Sequence, residues 1–141
     1  MPMKVDDFMT RRVISLEPGL TLRMAIERME THSIRHFPIV EGGKLLGVVS
    51  DRDIYKTLPA LTSLQQLPIA ETLDSVTVGM VMTQPVMTVG PEDTSLTAAK
   101  VFVARKIGCL PVVDPASGEV LGIITPRDVL RSAVQSGQLA R

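Results

Sequence analysis

Two stretches of the chain carry the same set of chemically able residues. Gly47-Val48-Val49-Ser50-Asp51-Arg52-Asp53 and Gly122-Ile123-Ile124-Thr125-Pro126-Arg127-Asp128 share one order: Gly, two apolar residues, a hydroxyl, a variable position, Arg, Asp. Two chemistries fit it. In the first, the hydroxyl and the acid three residues later form a capping box at a helix start, each side chain accepting from the other residue's amide. Pro126 at the first helical position suits that reading. In the second, the same turn takes up an anion. Free amides, an Arg and a hydroxyl hold a phosphate, while the adjacent carboxylate accepts both hydroxyls of a ribose. Arg52 and Arg127 argue for the second, because a cation in the first turn opposes the helix macrodipole by about 0.3–1 kcal/mol. A local rule broken at the same place twice is where a functional site is expected.

Other reactive residues carry less. His32 and His36 are four apart, but Pro38 forces the helix to end between them, and no third or fourth ligand accompanies them. No metal site is expected. Cys109, without a His nearby, reads as a small buried residue. Arg11-Arg12 are phosphate donors or solvated charges. No Ser-His-Asp order, Gly-rich phosphate loop or supported acid pair appears, so no catalytic residue is assigned and an enzyme is not expected.

The elements that hold the two boxes are themselves repeated. Slid along itself so that Met9-Thr10 falls on Met82-Thr83, the sequence also lays Val5 on Val78, Val13 on Val86, Pro18 on Pro91 and Thr21 on Thr94. Ala25 then meets Ala98, Ile34 meets Ile107, Pro38 meets Pro111 and Val40 meets Val113. Beyond a longer turn at 114–119, Leu46-Gly47 meets Leu121-Gly122 and Arg52-Asp53 meets Arg127-Asp128. The chain reads as repeat 1 over 5–59, a connector over 60–77 that lies along the surface, repeat 2 over 78–135 and a tail over 136–141. Each copy reads β-α-β-β-α. Short strands at 13–16 and 86–89 are closed by Pro18 and Pro91. Leu22, Ala25, Ile26 and Met29 recur at helical spacing after a Thr21 cap, with Ala98, Ala99, Phe102 and Val103 as the weaker second stripe. Phe37–Val40 and Leu45–Val49 flank Gly42-Gly43 as a hairpin. A three-stranded sheet this small leaves a face to cover, which two copies packed sheet to sheet would do.

Composition narrows the function classes. At 141 residues the chain suits one compact domain or two small units. Fifteen Lys and Arg balance fifteen Asp and Glu, which disfavours non-specific nucleic-acid binding. Three Phe, one Tyr and no Trp leave few platforms for stacking bases. Eight Met help to fill the interior instead. A single Cys implies no oxidising compartment. No apolar run approaches the roughly 20 residues that span a bilayer, and the start of the chain lacks a signal-peptide stretch. A soluble cytoplasmic protein is expected.

Taken in order and twice over, Met9-Thr10, Pro18, Ile34-Arg35-His36-Phe37-Pro38-Ile39-Val40, Gly47 to Asp53 and their counterparts resemble the cystathionine-β-synthase (CBS) domain. The tandem resembles a Bateman module. The resemblance implies an α/β (α+β) fold: two β-α-β-β-α repeats packed sheet to sheet with pseudo-twofold symmetry. It implies two clefts for adenosine-containing ligands, AMP, ADP or ATP and sometimes S-adenosylmethionine. By this likeness Asp53 and Asp128 hold ribose hydroxyls, and Ser50 and Thr125 reach ribose or phosphate. Backbone near Val13-Ile14 and Val86-Met87 meets the adenine edge, while Ile34 and Ile107 line its apolar slot. The residues before Pro38 and Pro111 face the phosphate: Arg35 and His36 in the first copy, Gly108 and Cys109 in the second. With Arg52 against Arg127 and Lys106, the first site is expected to prefer the more phosphorylated nucleotide. The expected protein is a stand-alone regulatory module without a catalytic domain, a homodimer that signals energy or nucleotide state to a partner. Two alternatives stand beside it: an interaction module with degenerate pockets, and an S-adenosylmethionine sensor.

Overall fold

The structure, a computed structural model, describes residues 3–84 and 86–137. It is mixed α and β, with two two-stranded antiparallel sheets among the described residues. The chain divides into two compact units: a contiguous one, Ile14–Val86, and one built from two segments, Met1–Val13 and Met87–Arg141. Of the tail expected over 136–141, positions 138–141 lie outside the described residues.

In the contiguous unit, α2 (Leu22–His32) starts at Thr21, whose hydroxyl accepts from the Met24 amide at 3.3 Å. The helix stops at Ser33 in the left-handed conformation, before Pro38 could be reached. β1 (His36–Glu41) and β2 (Lys44–Ser50) form the hairpin expected around Gly42-Gly43. Both glycines have positive φ, 58° and 80°, as a two-residue hairpin turn of primed type requires. α3 (Asp51–Gln65) follows β2 without a loop, then α4 (Ile69–Ser75) and the short α5 (Val78–Val81). Leu22, Ala25, Met29, Phe37, Ile39, Val49, Ile54, Leu58, Val76 and Val78 make one core. Each large side chain buried there contributes roughly 1.5–3 kcal/mol.

The two-segment unit repeats the plan with α6 (Ser95–Arg105), β3 (Leu110–Val113), β4 (Val120–Ile124) and α7 (Pro126–Gln135). Its N-terminal segment brings α1 (Val5–Phe8), and Val5 and Met9 join Val89, Ala98, Leu110, Val112 and Ile124 in the core. The sequence motifs Met-Thr and Leu-Gly meet within each unit. Thr10 pairs with Ile123 through bonds of 2.9 and 3.0 Å, and Thr83 pairs with Val48 through bonds of 2.8 and 3.2 Å. The Met-Thr segment runs close alongside the sheet where Gly122 and Gly47 lack a side chain. A Cβ at Gly122 would lie 2.6 Å from Met9 Sδ and 2.9 Å from the Thr10 carbonyl; at Gly47, 2.6 Å from Met82 Sδ and 2.9 Å from the Thr83 carbonyl.

Two expectations are corrected. The strands at 13–16 and 86–89 shrink to one residue each. Leu16 pairs in parallel with Ile39, donating to Pro38 O and accepting from Val40 N, and Val89 pairs in the same way with Val112. Val13 instead donates to the Arg11 carbonyl at 3.0 Å, a tight local turn that takes its amide away from any sheet. The segment expected along the surface as a connector is mostly exposed or half-buried, and it is largely helical: α3 runs on through Pro59 to Gln65, and α4 follows. Ile54, Leu58 and Leu61 keep the apolar stripe on the core across that point, while Pro59 lies exposed. Burial of that stripe offsets the roughly 3 kcal/mol that an interior Pro costs. Finally, Val103 is 84% exposed, so the second stripe buries Ala98 and only part of Phe102.

Candidate functional site

Both hydroxyl-Arg-Asp boxes open a helix, and both form the full capping box. Ser50 Oγ accepts from Asp53 N at 3.1 Å, and Asp53 Oδ2 accepts from Ser50 N at 3.0 Å. Thr125 Oγ1 accepts from Asp128 N at 3.3 Å, and Asp128 Oδ2 accepts from Thr125 N at 2.9 Å. Capping therefore occupies one carboxylate oxygen and leaves the other for further work. Arg52 and Arg127 are exposed in the first turns and take no part in the boxes.

The surroundings of the two boxes differ. On β1, Phe37 and Ile39 point into the core, so His36 lies on the opposite face, directly across from Ser50. His36 is half-buried, and burial holds its pKa below the usual 6.5, against Asp51 and Asp53, which pull it up, and with Arg35, which pushes it down. The Asp51 amide donates to the Arg35 carbonyl at 3.1 Å and ties the residue before His36 to the helix start. In the two-segment unit Pro126 stands where Asp51 does and has no N–H to give. Cys109, buried, takes the place of His36, and Gly108 that of Arg35. The acids differ as well. Asp128 is 9% exposed, and its Oδ1 lies 3.4 Å from an Arg131 guanidinium nitrogen. Asp53 is half-buried, and among the described residues its Oδ1 takes no hydrogen bond or ion pair.

The remaining candidates fall into place around these boxes. Ile14 and Ile34 pack, partly buried, against the contiguous unit's core, and Ile107 against that of the other unit. Pro38 and Pro111 are buried on β1 and β3. The boundary between the units passes between Val13 and Ile14 and again between Val86 and Met87. Val13 and Val86 are half-buried, and Met87 is 39% exposed. Lys106 ends α6 in the left-handed conformation, φ 51°. Arg11 pairs with Asp6 at 3.0 Å.

A pocket of about 360 Å³ opens in the contiguous unit between α2 and the start of α3. Ile34 and Arg35 line it, as do Ile26, Met29, Glu30, Ser33, Asp51 and Tyr55. Asp51 and Tyr55 were not singled out from the sequence. Their spacing of four along α3 puts them on one face, and that spacing was the available signal. Among the described residues, no three His, Cys, Asp or Glu side chains gather as metal ligands, and no helix is long and apolar enough to cross a membrane.

Residues 5–60 and 78–135 match the CBS domain family. CBSX2, a CBS-pair protein of Arabidopsis thaliana that has been solved in complex with AMP, is 32% identical. It superposes with a TM-score of 0.79 over 94% of this chain and 97% of that one. The CBS domain pair of MJ0100, solved with 5′-methylthioadenosine and S-adenosylmethionine, is 27% identical, with a TM-score of 0.78 over 98% and 99% of the two chains. Inosine-5′-monophosphate dehydrogenase of Korarchaeum cryptofilum is 36% identical over 126 residues, 89% of this chain and 23% of that enzyme. The chain spans about a quarter to about half of the first curated relatives it matches. Two matched repeats, two hydroxyl-Arg-Asp boxes and near-complete superposition on CBS pairs lead to one conclusion: the chain belongs to the CBS domain family, as a tandem pair.

Proposed function

We propose that this CBS pair is a regulatory module of the cytoplasm that binds AMP, ADP or ATP and passes nucleotide state to a partner protein. The observation that carries the reading is the carboxylate of each box, anchored by Oδ2 to its helix start, with Oδ1 open on Asp53 and beside Arg131 on Asp128. A diol matches such a carboxylate, and the exposed Arg beside each box suits a phosphate. CBSX2 with AMP and MJ0100 with adenosine-containing ligands lend support as relatives of similar fold. Asp53 and Asp128 take the ribose, Ser50 and Thr125 the ribose or first phosphate, and Ile34 and Ile107 the base. Arg35, His36 and Arg52 give the contiguous unit the longer phosphate chain. Signalling requires that the nucleotide bind two states of the module with different affinity.

Calorimetry with AMP, ATP, 2′-deoxy-AMP and S-adenosylmethionine tests this reading. AMP should bind more tightly than its 2′-deoxy analogue, since a lost hydroxyl leaves a buried acceptor unsatisfied at roughly 1–3 kcal/mol. Equal affinity for the two would remove Asp53 and Asp128 from the ribose role. Tight binding of S-adenosylmethionine alone would favour the sensor reading that MJ0100 suggests, and no binding at all would leave an interaction module. Leu96 and Val103 on α6 and Leu130 and Val134 on α7 are all more than half exposed. We assign them to a homodimer contact, which sedimentation at micromolar concentration checks.

A further inference from the structure

The two boxes are an internal control, and they differ three residues past the acid. In the two-segment unit that position is Arg131, whose guanidinium lies 3.4 Å from Asp128 Oδ1. In the contiguous unit it is Lys56, exposed, and among the described residues it makes no ion pair with Asp53. Asp128 Oδ2 already accepts from the Thr125 amide at 2.9 Å and the Thr125 hydroxyl at 3.1 Å. Arg131 therefore covers the one oxygen that capping leaves over. We infer that Arg131 is a latch on the second ribose site, competing with the sugar diol for Asp128, and that the contiguous unit has no such competitor. The inference rests on the reading of Asp53 and Asp128 as ribose acceptors.

The chemistry is a simple exchange. A diol donates two hydrogen bonds to a carboxylate edge, and a guanidinium donates to the same edge. The Arg131 side chain is 55% exposed, so it can leave for solvent, and the latch weakens sugar binding without abolishing it. An ion pair with its Arg end open to solvent and a long 3.4 Å contact is worth little, so an effect of about 2–5-fold in affinity is expected. Arg131 touches neither box hydroxyl and acts only through Asp128, which makes it a positioning residue.

The test swaps the two residues in chains that keep one working acid. In an Asp53→Ala background, Arg131→Lys and Arg131→Gln should tighten AMP binding about 2–5-fold by calorimetry. The ratio of AMP to 2′-deoxy-AMP affinity should widen in the same variants, which a merely structural role for Arg131 would not bring about. In an Asp128→Ala background, Lys56→Arg should loosen AMP by a similar factor. These exchanges keep good helix formers on exposed positions, so folding is not at stake. AMP affinity that is unchanged or weaker in both Arg131 variants, with the wild-type chain binding AMP, overturns the latch and leaves the nucleotide reading standing. A wild-type chain that binds none of the adenosine ligands overturns both.

Discussion

The contiguous unit and the two-segment unit solve the same local problem with the same residues and then diverge around it. Each starts the helix that follows its hairpin with a hydroxyl and an acid locked in a reciprocal cap. Around that cap, the contiguous unit sets His36, Arg35 and an unengaged carboxylate oxygen on Asp53. The two-segment unit sets a buried thiol, a Gly, a Pro without an amide proton, and Arg131 on its acid. The cap is common to both units, and what sets them apart lies one strand away and one helical turn on, which is where the proposed function places their difference in ligand preference.

The largest expected effect separates the units by ligand. ATP at about 100 times its dissociation constant stabilises a fold by about 2.7 kcal/mol, a melting shift of several degrees. Asp53→Ala should lose most of that shift and Asp128→Ala little; the reverse pattern would make the two-segment unit the working site. Next in size, Gly47→Ala and Gly122→Ala should each destabilise by about 1–3 kcal/mol in denaturant unfolding, since the new Cβ meets a backbone carbonyl at 2.9 Å in both units. A large difference between the two would show that the close approaches are not equivalent. Loss of the cap hydroxyl should cost about 1 kcal/mol in Ser50→Ala and in Thr125→Ala. The Thr125 change should cost the more, because it also removes the 3.1 Å bond to Asp128.

The smallest effect is one of pH. Burial holds the His36 pKa in the folded chain below the 6.5 at which the unfolded chain binds the proton. The unfolded state thus holds more protons below that value, and stability falls as the pH drops through it and levels off below the folded pKa. Above about pH 7.5 both states are neutral and the contribution is flat. His36→Gln should remove this part of the slope in urea midpoints followed across the acid range. An unchanged slope would mean that His36 is solvated in the folded chain.

Local chemistry was legible in the sequence wherever one or two residues decide it. Gly42-Gly43 dictates its turn, Thr21 its helix start, and Ser50 with Asp53 its cap. Long-range competition was not legible. The first repeat is expected to end at Pro59, yet Leu58 is buried and Leu61 packs partly buried beyond it, and α3 runs onward. The run Val13-Ile14-Ser15-Leu16 has strand composition, but only Leu16 finds a partner, because the turn at Arg11 takes the Val13 amide first. The site was legible in the same uneven way. Its two acids stood out through repetition, whereas Tyr55 and Arg131 matter through neighbours that only the fold supplies.

The exchange of Met-Thr segments sets an order of events during synthesis. Residues 14–86 are continuous, so everything that unit buries is present once its last residue leaves the ribosome. Val5 and Met9 emerge earlier still, yet their partners Leu110, Gly122 and Ile124 are made near the end of the chain. At about 5–20 residues per second, the Met9-Thr10 segment waits on the order of ten seconds for the strand it pairs with. The unit whose first segment emerges first is therefore completed last, and a nascent chain stalled before Ile123 carries the whole of residues 14–86 while Val5 and Met9 still lack their partners.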